Sequence, residues 1–141
     1  MNTELKVSVG NLQGKMRLTA TGHTGHRLPI DYPAPLGEDD GFTSLELLMV
    51  SLAGCSGHTV QFLLGKMGKK LEELEVEAVG RRRTDRHPTV LTEIALRFRL
   101  KADGLDACSA ENAIRMAQEQ YCPVWNMLGN NVRVSWKYSL T

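Results

Sequence analysis

The sequence predicts an α+β protein in which antiparallel sheets surround one long, buried central helix. Segments with alternating apolar residues lie on both sides of a single long apolar stretch, and several of them are joined by connections of hairpin length. A chain of 141 residues, 42% of them hydrophobic, fits one domain with a substantial core better than two. We therefore interpret residues 1–141 as a single domain.

Three short strands are predicted first. Residues 5–22 alternate in polarity and are interrupted by a glycine-containing break at residues 11–14, a pattern typical of a hairpin. Residues 26–33 form a third strand, and the polar residues 34–41 form a loop that contains proline and glycine.

The central helix is predicted to begin after Thr43 and to end near Gly68. Thr43 and Glu46 match a capping box, and glycine is suited to the position that follows a helix. The helix would be roughly 37 Å long and apolar on nearly every side, so more than one surface should bury it. Since the predicted sheets are too small to cover it, we expect an intertwined homodimer.

The second half of the chain is predicted to hold two strands, two helices and a last strand, at residues 71–83, 89–102, 106–121, 123–129 and 131–140. The first two of these strands alternate in polarity and are joined by a short segment, which favours an antiparallel pair.

Composition excludes several classes of partner. With 17 basic and 16 acidic residues, the net charge of +1 gives no reason to expect binding to nucleic acid or to an anionic membrane. The N-terminus has no apolar signal region, and charged or polar residues interrupt every apolar run short of about 18 residues. A soluble cytoplasmic protein is expected.

Three cysteines, Cys55, Cys108 and Cys122, form no C-x-x-C pair, and their odd number argues against a structural disulfide framework. Each is therefore an inert thiol, a metal ligand or a reactive thiol. Cys122 precedes Pro123 and is predicted to cap a short helix, whose N-terminal end should lower the pKa of the thiol. Cys108 is predicted to lie in the first turn of a helix, as a surface or packing residue.

Cys55 has unusual neighbours for the middle of a helix. Gly54 and Gly57 each cost roughly 1 kcal/mol relative to alanine, so they indicate close packing beside a passive cysteine or room for a substrate. His58, three residues further on, lies on the same helical face and is either a source of charge or protons or an ordinary solvent-facing histidine. A metal site at Cys55 and His58 would lack convincing third and fourth ligands.

Three segments carry a resemblance to a known family: TSLELLMVSLAGCSGHTV, LEELEVEAVGRRRTDRHPTVLTEIALRFRL and AIRMAQEQYCPVWNMLG. They resemble the OsmC/Ohr family of osmotically induced and organic hydroperoxide resistance proteins over residues 40–140. The resemblance implies an intertwined homodimer with the active site at the subunit interface. It also implies that one thiol attacks a hydroperoxide and a second resolves the sulfenic acid as a disulfide. The matching thiols are Cys55 and Cys122, and Cys108 has no counterpart.

The resemblance further implies that neither a metal nor an organic cofactor is needed and that an external dithiol restores the reduced protein. In peroxidase members an arginine, itself held by a glutamate, holds the first thiolate. Here Leu45 occupies the place of that glutamate and Glu46 follows it, which is more similar to a less characterised OsmC-like branch. The candidates for tuning the thiolate are Arg27 or Arg17, together with Glu46.

Two functions follow from these observations. The first is a thiol-dependent peroxidase that reduces organic hydroperoxides through Cys55 and Cys122. The second is an OsmC-like protein without peroxidase activity that binds a small apolar or electrophilic molecule.

Overall fold

The structure, a computed structural model that describes residues 3–141, confirms the α+β class. The elements follow in the order β1 (Val7–Gln13), β2 (Arg17–Gly22), β3 (Arg27–Ile30), α1 (Ser44–Lys66), β4 (Leu71–Arg82), β5 (Leu91–Ala102), α2 (Ala107–Met116), a π-helix (Ala117–Tyr121), α3 (Pro123–Leu128) and β6 (Arg133–Leu140). They form two compact units, of which the first extends to Leu47 and the second spans Leu48–Thr141.

The first unit contains an antiparallel sheet in the order β1-β2-β3, which confirms the predicted hairpin and third strand. The loop after β3 is organised by the buried carboxylate of Asp31. This carboxylate accepts hydrogen bonds from the backbone N–H groups of Tyr32, Glu38 and Asp40. Burial would raise the pKa of Asp31, but these donors, helped by Arg17, hold the pKa below its usual value.

The second unit contains a sheet in the order β4-β5-β6, and β4 and β5 pair antiparallel as predicted. The expectation of purely antiparallel sheets is wrong for β6, which runs parallel to β5. The reason is the helical connection between the two strands, which returns the chain to the end of the sheet at which β5 began. Alternate residues of β5 from Ile94 to Leu100 are buried and, with Leu91, form the centre of the core: Leu91, Ile94, Leu96, Phe98 and Leu100.

The ends of α1 are those that the sequence predicted. The Glu46 N–H bonds to the Thr43 hydroxyl at 3.2 Å, and the Thr43 N–H bonds back to Glu46 Oε1 at 2.9 Å. These bonds also hold the pKa of Glu46 below its usual value. Gly68 has a φ of +79° and closes the helix, because Lys69 N–H can then reach the Leu64 carbonyl at 2.8 Å.

Within one chain, α1 is buried along one side rather than all around. The buried residues are Leu52, Ser56, Gly57, Val60, Leu63 and Leu64. Val50 and Phe62 are 48% and 64% exposed. The helix is long and apolar enough to cross a membrane, and 33% of its most apolar window is buried in the chain. Because α1 packs against the sheet of the second unit, we interpret it as a core helix.

Candidate active site

The structure brings together two of the predicted site residues, Cys55 and Cys122, which are 67 positions apart in the sequence. Cys55 lies in α1, Cys122 lies between the π-helix and α3, and their side chains are close enough for Cys55 to raise the pKa of Cys122. Cys55 is partly exposed, whereas Cys122 is fully buried. The third cysteine, Cys108, is exposed in the first turn of α2, as predicted.

The two glycines beside Cys55 have different surroundings. A Cβ atom on Gly57 would lie 3.1 Å from Val76 Cγ2, so this glycine permits α1 to approach β4 closely. A Cβ atom on Gly54 would meet no heavy atom within 4 Å. Gly54 borders an open groove of about 350 Å³, on which Gly57 and His58 also lie. Close packing is therefore confirmed for Gly57, and room for a substrate stays a prediction for Gly54.

Cys122 caps α3, and the cap is built from local backbone bonds. Its φ and ψ of −84° and 108° are extended, as expected before proline, and Pro123 begins the helix. The Trp125 N–H donates to Cys122 Sγ at 3.4 Å. The Cys122 carbonyl accepts the Asn126 N–H at 3.0 Å. The predicted N-cap position is confirmed.

The predicted lowering of the Cys122 pKa is wrong. Burial, together with the neighbouring Cys55 thiol, raises the pKa of Cys122 to about 11. The backbone N–H groups of Trp125 and Val124 act in the lowering direction, as the sequence indicated, but more weakly. Cys122 is therefore a neutral thiol at neutral pH.

An apolar cleft of about 540 Å³, lined by residues that are near both cysteines in the sequence, was not predicted. His58, one turn after Cys55, and Tyr121, next to Cys122, connect it to the thiols. The lining residues are His58, Thr59, Phe62, Leu63, Lys66, Met67, Met116 and Tyr121. His58, Phe62 and Lys66 recur every four residues, and this spacing was the available signal for a shared helical face.

The lining of the cleft includes the cationic side chain of Lys66. Lys66 Nζ lies 5.0 Å from the centroid of the Phe62 ring, so the cation covers part of the apolar wall. Trp125, which follows Cys122 in α3, is 2% exposed and belongs to the core rather than to the cleft. His58 is exposed and borders both the cleft and the groove.

The other predicted site residues, Arg27 and Glu46, belong to the first unit. The Glu46 carboxylate is engaged in the capping box of α1. Arg27 is exposed at the start of β3 and lines a polar groove of about 330 Å³ together with Arg17. Arg17 is already paired with the Asp40 carboxylate at 2.9 Å, which makes it the less available of the two arginines.

Among residues 3–141, no three His, Cys, Asp or Glu side chains are grouped so that they could hold a metal ion.

The α+β fold, in which a cysteine of the long helix lies near a cysteine that caps a short helix, defines the class of protein to which the chain belongs. The chain matches the OsmC-like proteins over residues 37–137 and therefore belongs to the OsmC/Ohr family. The protein YhfA of Escherichia coli K12 is 26% identical over 117 residues, covering 83% of this chain and 84% of that protein.

Solved structures of the family share the fold. An OsmC-like protein from Mycoplasma pneumoniae has a TM-score of 0.86 at 19% identity, covering 100% of this chain and 99% of the other. The organic hydroperoxide resistance protein OhrB of Bacillus subtilis has a TM-score of 0.68 at 20% identity, covering 96% and 98%. At these identities the likeness extends to the fold alone.

Proposed function

We propose that this protein is a thiol-dependent peroxidase that reduces organic hydroperoxides in defence against oxidative stress. The observation that carries the proposal is the proximity of Cys55 and Cys122, which is close enough for Cys55 to raise the pKa of Cys122. Family membership supports it, since several structural relatives are named organic hydroperoxide resistance proteins.

The different environments of the two thiols assign their roles. Burial and the high pKa keep Cys122 protonated, so it can donate a hydrogen bond to Cys55 but is a poor first nucleophile. Cys55 is the partly exposed member and the one that a substrate can reach. Cys55 is therefore the peroxidatic thiol and Cys122 the resolving thiol.

The proposed reaction has three steps. The Cys55 thiolate attacks the terminal oxygen of the hydroperoxide, the O–O bond breaks, and an alcohol leaves after it takes up a proton. Cys122 then attacks the Cys55 sulfenic acid, which forms the disulfide and releases water. An external dithiol reduces the disulfide by exchange and is itself oxidised.

The apolar cleft supports an organic substrate. Its walls are mainly apolar side chains, which favour an alkyl or aryl hydroperoxide over hydrogen peroxide. The same cleft is the observation that favours the second candidate function, binding of a small apolar or electrophilic molecule without turnover.

A homodimer in the cytoplasm is part of the proposal. The exposed apolar residues of α1, such as Val50 and Phe62, support a second copy as partner. Arg27 and Glu46 remain the proposed groups that tune the Cys55 thiolate. No nucleic acid, membrane, metal or organic cofactor takes part in the proposed reaction.

Stopped-flow consumption of cumene hydroperoxide by the prereduced protein tests the peroxidase proposal, with hydrogen peroxide measured alongside. We expect fast turnover in the presence of a dithiol, and its loss in Cys55→Ser. Cys122→Ser should permit one oxidation of Cys55 and then stop. Arg27→Ala and Glu46→Gln in the same assay should slow the first step if these residues tune the thiolate.

Cys108→Ser is the matched control, because it removes an exposed thiol outside the pair. Unchanged peroxide consumption in Cys55→Ser would refute the peroxidase. No reaction in the wild type, with both thiols still titratable, would favour the binding function.

A further inference from the structure

The turn that carries Cys122 contains a carbonyl group left without its usual backbone donor. In a helix the Gln118 carbonyl would accept from the N–H group four or five residues later. The first of these, Cys122 N–H, bonds instead to the Ala117 carbonyl at 2.9 Å. The second position is Pro123, which has no N–H group. The π-helix and the proline together leave this carbonyl open.

The side chain of Asn126 supplies the missing donor. Its Nδ2 atom donates to the Gln118 carbonyl at 3.3 Å and to the Cys122 carbonyl at 2.8 Å. Both partners are carbonyl oxygens, which only accept, so the amino half of the amide must face them. One side chain thus joins the last turn of the π-helix to the first turn of α3.

The two hydrogen bonds from the Asn126 side chain hold the backbone on both sides of the Cys122 thiol. The π-helix end of the turn is itself anchored to the sheet, because Trp136 Nε1 donates to Gln118 Oε1 at 3.0 Å. The Cys122 carbonyl therefore has two donors from one residue, the backbone N–H and the side-chain amide of Asn126. These bonds fix the direction in which the Cys122 side chain leaves the turn, toward Cys55.

We propose that Asn126 is a positioning residue that holds Cys122 ready to attack oxidised Cys55. The inference rests on the proposed peroxidase function for its kinetic consequence. Its geometric consequence, a high effective concentration of one thiol beside the other, holds for any chemistry of the pair.

Asn126→Asp tests the proposal, because aspartate has the shape of asparagine but cannot donate a hydrogen bond when ionised. After one equivalent of cumene hydroperoxide, trapping of the sulfenic acid with dimedone should show Cys55 oxidised at the wild-type rate. Formation of the Cys55–Cys122 disulfide should be slower by about fivefold, the size expected for one lost hydrogen bond. Asn130→Asp, an exposed asparagine outside this network, is the control and should leave both rates unchanged.

A second measurement does not depend on peroxide. Glutathione disulfide oxidises the two thiols to the protein disulfide and yields two glutathione thiols. At equilibrium, Asn126→Asp should shift the protein about fivefold toward the reduced form, while Asn130→Asp stays at the wild-type value. Thermal unfolding of each variant shows whether the fold is retained.

The outcomes separate the two proposals. A wild type that does not react with hydroperoxide refutes the peroxidase, and the glutathione equilibrium then still decides the role of Asn126. Equal disulfide formation in wild type and Asn126→Asp, in a glutathione buffer, overturns the positioning role. Slowing of both Cys55 oxidation and disulfide formation would also overturn it, because that result indicates a general loss of structure.

Discussion

At the scale of single residues, the two thiols of the candidate site differ more in environment than in sequence context. Cys55 lies within a helix and Cys122 caps one, but Cys122 is fully buried and Cys55 is partly exposed. For Cys122 the desolvation of a buried thiolate outweighs the favourable N–H groups of α3. The helix end therefore orients this thiol without making it acidic.

The high pKa of Cys122 predicts a pH dependence for the resolving step. Since only the thiolate attacks the sulfenic acid, the rate should increase with pH while pH stays below the pKa of about 11. We expect a continuous rise between about pH 6 and pH 9, measured as disulfide formation in Cys108→Ser after one equivalent of hydroperoxide. A plateau near neutral pH would show that the thiol ionises more easily than its burial indicates.

At the scale of elements, α1 has residues at both ends that favour a helix boundary and two glycines inside it that disfavour a helix. The cap at Thr43 and the stop at Gly68 were predictable because they depend on residues within one turn. Gly54 and Gly57 were recognisable as unusual, but their reasons depend on what α1 packs against. Only Gly57 faces a close neighbour, Val76 of β4.

Alanine substitutions distinguish the two glycines. Gly54→Ala places a methyl group in open space, so it should stabilise the protein by up to about 1 kcal/mol through helix propensity. Gly57→Ala places the methyl group 3.1 Å from Val76 Cγ2, so steric crowding should cancel that gain or reverse it. Urea unfolding of the pair measures the difference. A strongly destabilising Gly54→Ala would indicate that the second copy in the proposed homodimer covers this groove, which Val50 also lines.

The segment after α2 shows the limit of sequence patterns at this scale. The sequence predicted one helix over residues 106–121, whereas α2 ends at Met116 and a π-helix follows. Apolar spacing does not distinguish the two helix types, because the π-helix here is a single turn. Pro123 was the available signal, since it removes an N–H group from the helical bonding pattern.

At the scale of the whole molecule, the apolar surface of α1 exceeds what one chain buries. Val50 is 48% exposed on α1, and Val79 is 54% exposed on β4. Val79 lies on the outward face of its sheet, between the charged residues Glu77 and Arg81 on that same face. Val50 is therefore a candidate interface residue, whereas Val79 is an ordinary exposed apolar residue.

This contrast predicts the effect of charge on assembly. Val50→Glu should shift the proposed homodimer toward monomer, because the carboxylate would be desolvated in an apolar interface. Val79→Glu, the matched control, should leave the molecular mass unchanged. Light scattering after size-exclusion chromatography measures both. A monomeric wild type, or equal behaviour of the two variants, would contradict the proposed interface.

The sequence alone determined the order of the strands and α-helices, both ends of α1, the N-cap position of Cys122 and the family to which the chain belongs. These features depend on interactions between residues a few positions apart or on the pattern of whole segments. Only the tertiary structure decided the proximity of Cys55 and Cys122, the direction of the Cys122 pKa, the parallel pairing of β6 and the apolar cleft. Each of these depends on burial or on neighbours far apart in the chain, and no local pattern contains that information.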